Sequence, residues 1–111
     1  MPDDVEVLRA QNVKIGDAES SGDQKWLASA LAPEFAFFRA DGETFDDAGR
    51  FLQKVKASSP RNTEVESVEI IGNRAIVKCL VTQDTKKYHN LRLFVRYGES
   101  WLLLAWANEP I

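Results

Sequence analysis

His89 is the only histidine in the chain, and it opens a run, residues 89–97, that alternates like a strand. Imidazole is the side chain whose ordinary titration range spans neutral pH. His89 is therefore the first candidate for a general acid or base, or for a group that orients a polar ligand. Glu66 is the second candidate, because it would oppose Cys79 on the apolar face of Val68, Ile70, Ala75, Val77 and Val81, and a carboxylate facing such a wall could act as a base. A bulge in its strand would instead turn it outward. Two amides complete the set. Asn12 interrupts an apolar helical stripe between Leu8 and Ile15, where it either faces a cavity or caps a backbone group, and Asn108 follows Trp106 near the C-terminus. One histidine and one cysteine are too few for a metal site, so no metal and no cofactor are expected. Cys79 reads as a small buried hydrophobe, since no neighbour in the sequence would stabilise its thiolate. Gly42 and Gly72 suit hairpin turns and do not form a phosphate-binding loop.

These residues are positioned by helices first and strands afterwards. Asp3 with Glu6 three residues later forms a capping box, followed by Val5, Leu8, Asn12 and Ile15 at helical spacing and ended by Ser20-Ser21-Gly22. Ser21 with Gln24 marks a second helix carrying Leu27, Ala30 and Leu31 on one face, and Pro33 stops it. An aromatic strand over 35–39 leads to a hairpin turn at Asp41-Gly42, after which Asp46 caps a third helix with Ala48, Phe51, Leu52 and Val55 inward. The runs 63–71, 74–83, 89–97 and 100–108 then form a strand meander, with a bulge expected near Ser67 to bring Val65 and Val68 into phase. This order predicts an α+β layer fold in which a curved antiparallel sheet covers about three helices on one face.

A two-residue turn at Gly98-Glu99 sets the register of the last hairpin. Val95 would oppose Leu102, Leu93 oppose Leu104, Leu91 oppose Trp106, and His89 oppose Asn108 on a single inward face. That wall is apolar until it ends in an aromatic rim and a polar pair, which is the pattern of a cavity mouth. His89, Asn108, Trp106, Leu91 and Asn12 are accordingly the expected ligand-binding residues, and His89 and Glu66 the catalytic candidates. The opposite face would hold Arg92, Phe94, Arg96, Trp101 and Leu103. Arginine and tryptophan among apolar residues suit a homodimer interface, the alternative being a solvated face with scattered apolar residues.

Composition narrows the partners. The chain has 111 residues, 44% hydrophobic and 28% charged, and a formal net charge of −3. Size scaling gives about 6,200 Å² of folded surface against about 18,000 Å² extended, enough for one core and too little for two domains. A single domain over 1–111 is expected. The acid balance argues against nucleic acid. No apolar run nears the ~18 residues of a membrane span, and Met-Pro-Asp-Asp is not a leader, so a cytoplasmic location with no membrane partner is the expectation.

The stretches GDAESSGDQKWLASALAPEFAFFRADGETFDDAGRFLQKV, GNRAIVKCLVTQD and YHNLRLFVRYGESWLLLAWANEPI together resemble the nuclear transport factor 2-like (NTF2-like) superfamily. Within it the chain is most similar to the SnoaL-like and calcium/calmodulin-kinase association-domain-like group of small bacterial proteins. Leu-Ala-Pro-Glu-Phe leading into Asp41-Gly42, the Gly72-to-Ala75 turn, and Gly98 with Trp101 carry that resemblance, and all are fold signatures. It implies a cone-shaped, cystatin-like roll with a pocket at one end, and dimers through the outer sheet face. Some relatives isomerise or cyclise steroid-like and polyketide substrates, whereas others only bind or assemble. The aspartate base of steroid-isomerase relatives falls here near Phe38 or Arg39, and the turn holds nearby Asp41 outside the cone. The expected function is a homodimer binding a small, largely apolar molecule. The alternatives are an isomerase, dehydratase or cyclase using His89 or Glu66 for proton transfer, and a pure oligomerisation module.

Overall fold

The computed structural model describes residues 3–111, so Met1 and Pro2 of the expected leaderless start lie outside it. Helix α1 (Asp4–Ser21) begins as expected: the Asp3 side chain accepts a hydrogen bond from the Glu6 amide at 2.9 Å. It continues through Gly16, whose lack of a side chain lets the helix reach its seat on the sheet: a Cβ there would sit 2.5 Å from Thr63 Oγ1. Gly22, at φ 75°, ends it in the left-handed region. Helix α2 (Gln24–Ala30) is capped by Asp23 and not by Ser21, since the turn through Gly22 uses the preceding residues.

Leu31 opens strand β1 (Leu31–Phe38), so Pro33 stands within a strand and not just behind a helix. The hairpin to β2 (Phe45–Asp47) is longer than a two-residue turn: Asp41 Oδ1 accepts from the amides of Glu43 and Thr44. Asp41 thus holds its own turn on the surface. Helix α3 (Ala48–Lys54) is capped by Asp47, which accepts from the Arg50 amide at 2.9 Å, and this frees Asp46 for the interior.

Strands β3 (Arg61–Ile71), β4 (Arg74–Gln83), β5 (Lys86–Tyr97) and β6 (Ser100–Pro110) complete one six-stranded sheet of order β2-β1-β6-β5-β4-β3. The pairing of β1 with β6 is parallel, so the sheet is mixed and not wholly antiparallel. A register shift between Val65 and Ser67 puts Val65 opposite Cys79 and Val68 opposite Val77, leaving Glu66 as the extra, exposed residue. The core joins Leu8, Ile15 and Leu27 of the helices to Phe35, Phe37, Phe51, Val77, Phe94, Leu103 and Trp106. No helix among the described residues is long and apolar enough to cross a membrane.

The last hairpin departs from expectation in one residue. Tyr97 pairs with Ser100, Arg96 with Trp101, Val95 with Leu102 and Phe94 with Leu103, as a two-residue turn requires. A bulge then leaves Leu104 unpaired, and the register moves on by one: Leu93 meets Ala105, Arg92 meets Trp106, Leu91 meets Ala107, Asn90 meets Asn108 and His89 meets Glu109. Side chains alternate along a strand, so a single extra residue exchanges the two faces beyond it. The inward face is the one holding Phe94, Trp101, Leu103, Arg92, Trp106 and Asn90, all buried. Three of these are aromatic, each with roughly 150–250 Å² to bury, and that outweighs the leucines of the other face.

Candidate functional site

The bulge relocates most of the expected site. His89 is exposed on the outer face opposite Glu109, and Asn108 points inward beside Asn90, so the anticipated His89–Asn108 pair does not form. Leu91 is 43% exposed on the same outer face as His89. Glu66, bulged out of register, shares with His89, Lys78 and Glu109 the border of a shallow outer groove of about 310 Å³. Neither His89 nor Glu66 reaches the cone interior, so the proton-transfer roles expected of them there have no geometric support. Asn12 is fully buried but serves the protein itself. Its amide donates to the Leu8 carbonyl at 2.7 Å, and its Oδ1 accepts from Arg92 at 3.2 Å.

Arg92, Phe94, Arg96, Trp101 and Leu103, expected at a dimer interface, form instead the seat of α1. Trp101 Nε1 donates to Asp4 Oδ1 at 3.3 Å, Arg96 pairs with the same carboxylate, and Gln11 donates to the Trp101 carbonyl at 2.8 Å. These contacts hold the Asp4 carboxyl below the usual carboxylate range, with the Arg96 hydrogen bond the main cause. Arg92 is wholly buried with neutral partners: the Asn12 carbonyl at 3.1 Å, Asn12 Oδ1, and Asn90 Oδ1 at 3.1 Å. Its guanidinium lies 4.3 Å from the Trp106 ring centre. Burial pushes its pKa down, though an arginine remains charged at any physiological pH.

Trp106 and Asn108 do line a cavity, at the open end of the cone. One lobe, of about 190 Å³, is bounded by Phe37, Val81 and Trp106 on its apolar side and by Glu19, Arg39, Arg61, Tyr88, Asn90 and Asn108 on its polar side. A second lobe of about 200 Å³ lies against Phe51, Val55, Lys54 and Lys56. Glu19, Arg39 and Arg61 border both lobes. Phe37 stacks on Trp106 with centroids 4.5 Å apart and planes 5° from parallel, which makes one wall rigid. The indole N–H donates to Asn90 Oδ1 at 2.6 Å and to Asn108 Oδ1 at 3.0 Å, fixing both amides at the rim.

Two carboxylates belong to this end. Asp46 accepts from Arg39 Nε at 2.6 Å and from Lys54 Nζ at 2.9 Å. Burial pushes its pKa up, but the hydrogen bonds from Lys54 and Arg39 more than reverse this, and the net direction is down. Glu19 stands 3.8 Å from Arg61 Nε, while Arg61 Nη1 is committed to the hydroxyls of Ser20 and Ser58. Burial raises the Glu19 pKa, against smaller opposing effects of Arg61, Arg92 and Arg39. Glu19 was not among the expected site residues. The signal for it was the stripe Leu8, Asn12, Ile15, which continues at helical spacing to Glu19. Arg39 and Arg61 carried no such signal, because each sits at the end of a strand and the wrapping of the sheet brings them together.

Among the described residues no cluster of three or more histidine, cysteine, aspartate or glutamate side chains is arranged to hold a metal ion. Cys79 is fully buried and its thiol pKa is pushed up by that burial, opposite to what a nucleophile requires.

By sequence, no family model and no curated protein matches the chain. Solved structures do. An NTF2-like protein of unknown function from Silicibacter pomeroyi superposes with a TM-score of 0.79 at 12% identity, over 96% of each chain. The hub homology domain of CaMKII from Chlamydomonas reinhardtii gives 0.77 at 13% identity over 99% of each chain. A putative Ca/calmodulin-dependent kinase II association domain from Exiguobacterium sibiricum gives 0.70 at 18% identity, over 100% of this chain and 97% of that one. A helix-filled, curved sheet shared over nearly full length at such low identity is a likeness of fold, and the fold of this chain is the NTF2-like fold.

Proposed function

We propose that the chain is a pocket protein that binds a compact organic anion, its aromatic or aliphatic body against Phe37 and Trp106 and its charged head toward Arg39 and Arg61. One observation carries this reading. In a chain of net charge −3, four cationic side chains, Arg39, Lys54, Lys56 and Arg61, line the two lobes against two carboxylates, Glu19 in the lining and Asp46 bound behind it to Arg39 and Lys54, which leaves positive charge in surplus. A recess with excess positive charge favours an anion, and the edges of the nearly buried Phe37 and Trp106 rings leave room for a small apolar body beside it. The test is thermal unfolding with benzoate and hexanoate against their amides. A carboxylate at a hundredfold its Kd adds about 2.7 kcal/mol of stability. Arg61→Ala should weaken the response, and equal responses to benzoate and benzamide would sink the reading.

Self-association is supported by a separate feature. All three helices lie on the inner side, leaving Ile76, Leu80, Leu91, Leu93, Leu102 and Leu104 on an uncovered outer face, each partly or well exposed. A largely aliphatic sheet face of this kind, interrupted by Lys78 opposite Leu91, suits a second copy of the chain. The "hub" and "association domain" names of two structural neighbours agree with assembly. Leu91→Glu should turn a dimer into a monomer in sedimentation velocity, and a variant that sediments like the parent removes this face from consideration.

A further inference from the structure

Resting on the anion-pocket reading above, we propose that Glu19 determines specificity in that pocket: as a carboxylic acid it donates a hydrogen bond to the carboxylate of the bound ligand, so each monoanion enters together with one proton. Four observations lead there. The Glu19 side chain is 12% exposed and borders both lobes, where an occupant of either can reach it. Among the described residues its side chain receives no hydrogen bond: the nearest cationic atom, Arg61 Nε, is 3.8 Å away, and Arg61 Nη1 is spent on two serine hydroxyls. The cationic partners an entering anion would use are the ones that partly offset the charge of Glu19. Finally, a 190 Å³ lobe is about 7 Å across if spherical, which lies inside the ~8 Å screening length of physiological salt.

Two ionised carboxylates confined at that distance repel, which favours the protonated form of the one already short of partners. The groups facing Glu19 all permit this. Arg61 faces it from β3, Arg39 from the residue after β1, Arg92 and Tyr88 from β5, and Lys54 and Lys56 from α3 and the segment after it. Strands β4 and β6 present only neutral groups, among them Gln83 and Asn108. No second carboxylate borders the lobes to take the proton in place of Glu19. A protonated Glu19 would also convert a repulsive wall into a donor, and the pocket would then prefer monocarboxylates to dicarboxylates.

The experiment uses the full chain with benzoate and hexanoate as probes, between about pH 6 and 9, where both stay ionised. The ¹³Cδ resonance of Glu19 is titrated with and without saturating benzoate, and proton uptake is read by calorimetry in two buffers of different ionisation enthalpy. The expected results are an upward shift of the Glu19 midpoint on binding, uptake approaching one proton per benzoate, and a Kd that weakens toward tenfold per pH unit between the free and bound midpoints. Glu19→Gln should bind with no proton uptake and a flat pH profile. The carbon titration of the unaltered chain decides the matter if that variant folds poorly. Binding with an unmoved midpoint and no uptake overturns the role of Glu19 alone. Failure of both probes to bind at every pH overturns the anion pocket, and the proton linkage falls with it.

Discussion

Asp46 and Glu19 are both withdrawn from water near one end of the cone, and the protein treats them in opposite ways. Asp46, with a side chain 1% exposed, is held by hydrogen bonds from Arg39 and Lys54, and its pKa falls. Glu19, 12% exposed, has a guanidinium nearby but no hydrogen bond from it, and its pKa rises. Burial acts on both in the same direction, so the difference lies in compensation. A fully paired carboxylate is a structural element. One left short of partners in a cavity keeps its acceptor capacity for something that enters.

Three stability measurements sharpen or break this contrast. Asp46→Ala should have the largest effect, about 2–3 kcal/mol lost in urea unfolding at pH 7, because it removes charge-assisted hydrogen bonds and strands two cations. Lys54→Ala, at a half-exposed site, should cost no more than about 1 kcal/mol, and the loss should shrink in high salt. Glu19→Gln should change stability least, by under about 1 kcal/mol, and in the stabilising direction at pH 8. If Glu19→Gln destabilised the fold as much as Asp46→Ala, the two carboxylates would be equivalent and the contrast would fail.

The pH dependence of the same variants has opposite signs. The folded pKa of Asp46 is depressed, so its contribution is present above the ordinary aspartate range and disappears as the pH falls through the folded value. The gap between the parent and Asp46→Ala should therefore narrow in acid. The folded pKa of Glu19 is raised, so the folded state binds more protons than the unfolded one from the ordinary glutamate range up to the folded value. Stability falls with rising pH across that window. The advantage of Glu19→Gln should grow toward alkaline pH; thermal melts at about pH 5 and 8 check that slope, and melts taken from about pH 5 down to about pH 2 check that of Asp46.

Much of the frame was legible locally. The Asp3 cap, the Gly22 stop, the Gly72 and Gly98 turns and the β3 bulge each follow from a few neighbouring residues and their backbone preferences. Errors of one residue were harmless in some places and decisive in others. Reading Asp46 as the cap of α3 in place of Asp47 shifts a boundary, but it also hides the buried carboxylate that anchors Arg39 and Lys54. Reading α2 through to Pro33 misses that Leu31 and Ala32 are already strand.

The sequence by itself determined which segments are helix, strand and turn, because caps, glycines and the period of apolar residues act within a few positions of the chain. Which face of the last hairpin is the inside was decided only by the tertiary structure. Residues 91–107 carry large apolar side chains on both faces, so alternation alone allowed two answers. The bulge at Leu104 selects the one that buries Phe94, Trp101 and Trp106 together under α1. Packing against a distant helix and the curvature of the whole sheet set that choice, and with it sent His89 outward and gave the pocket to Glu19, Arg39 and Arg61.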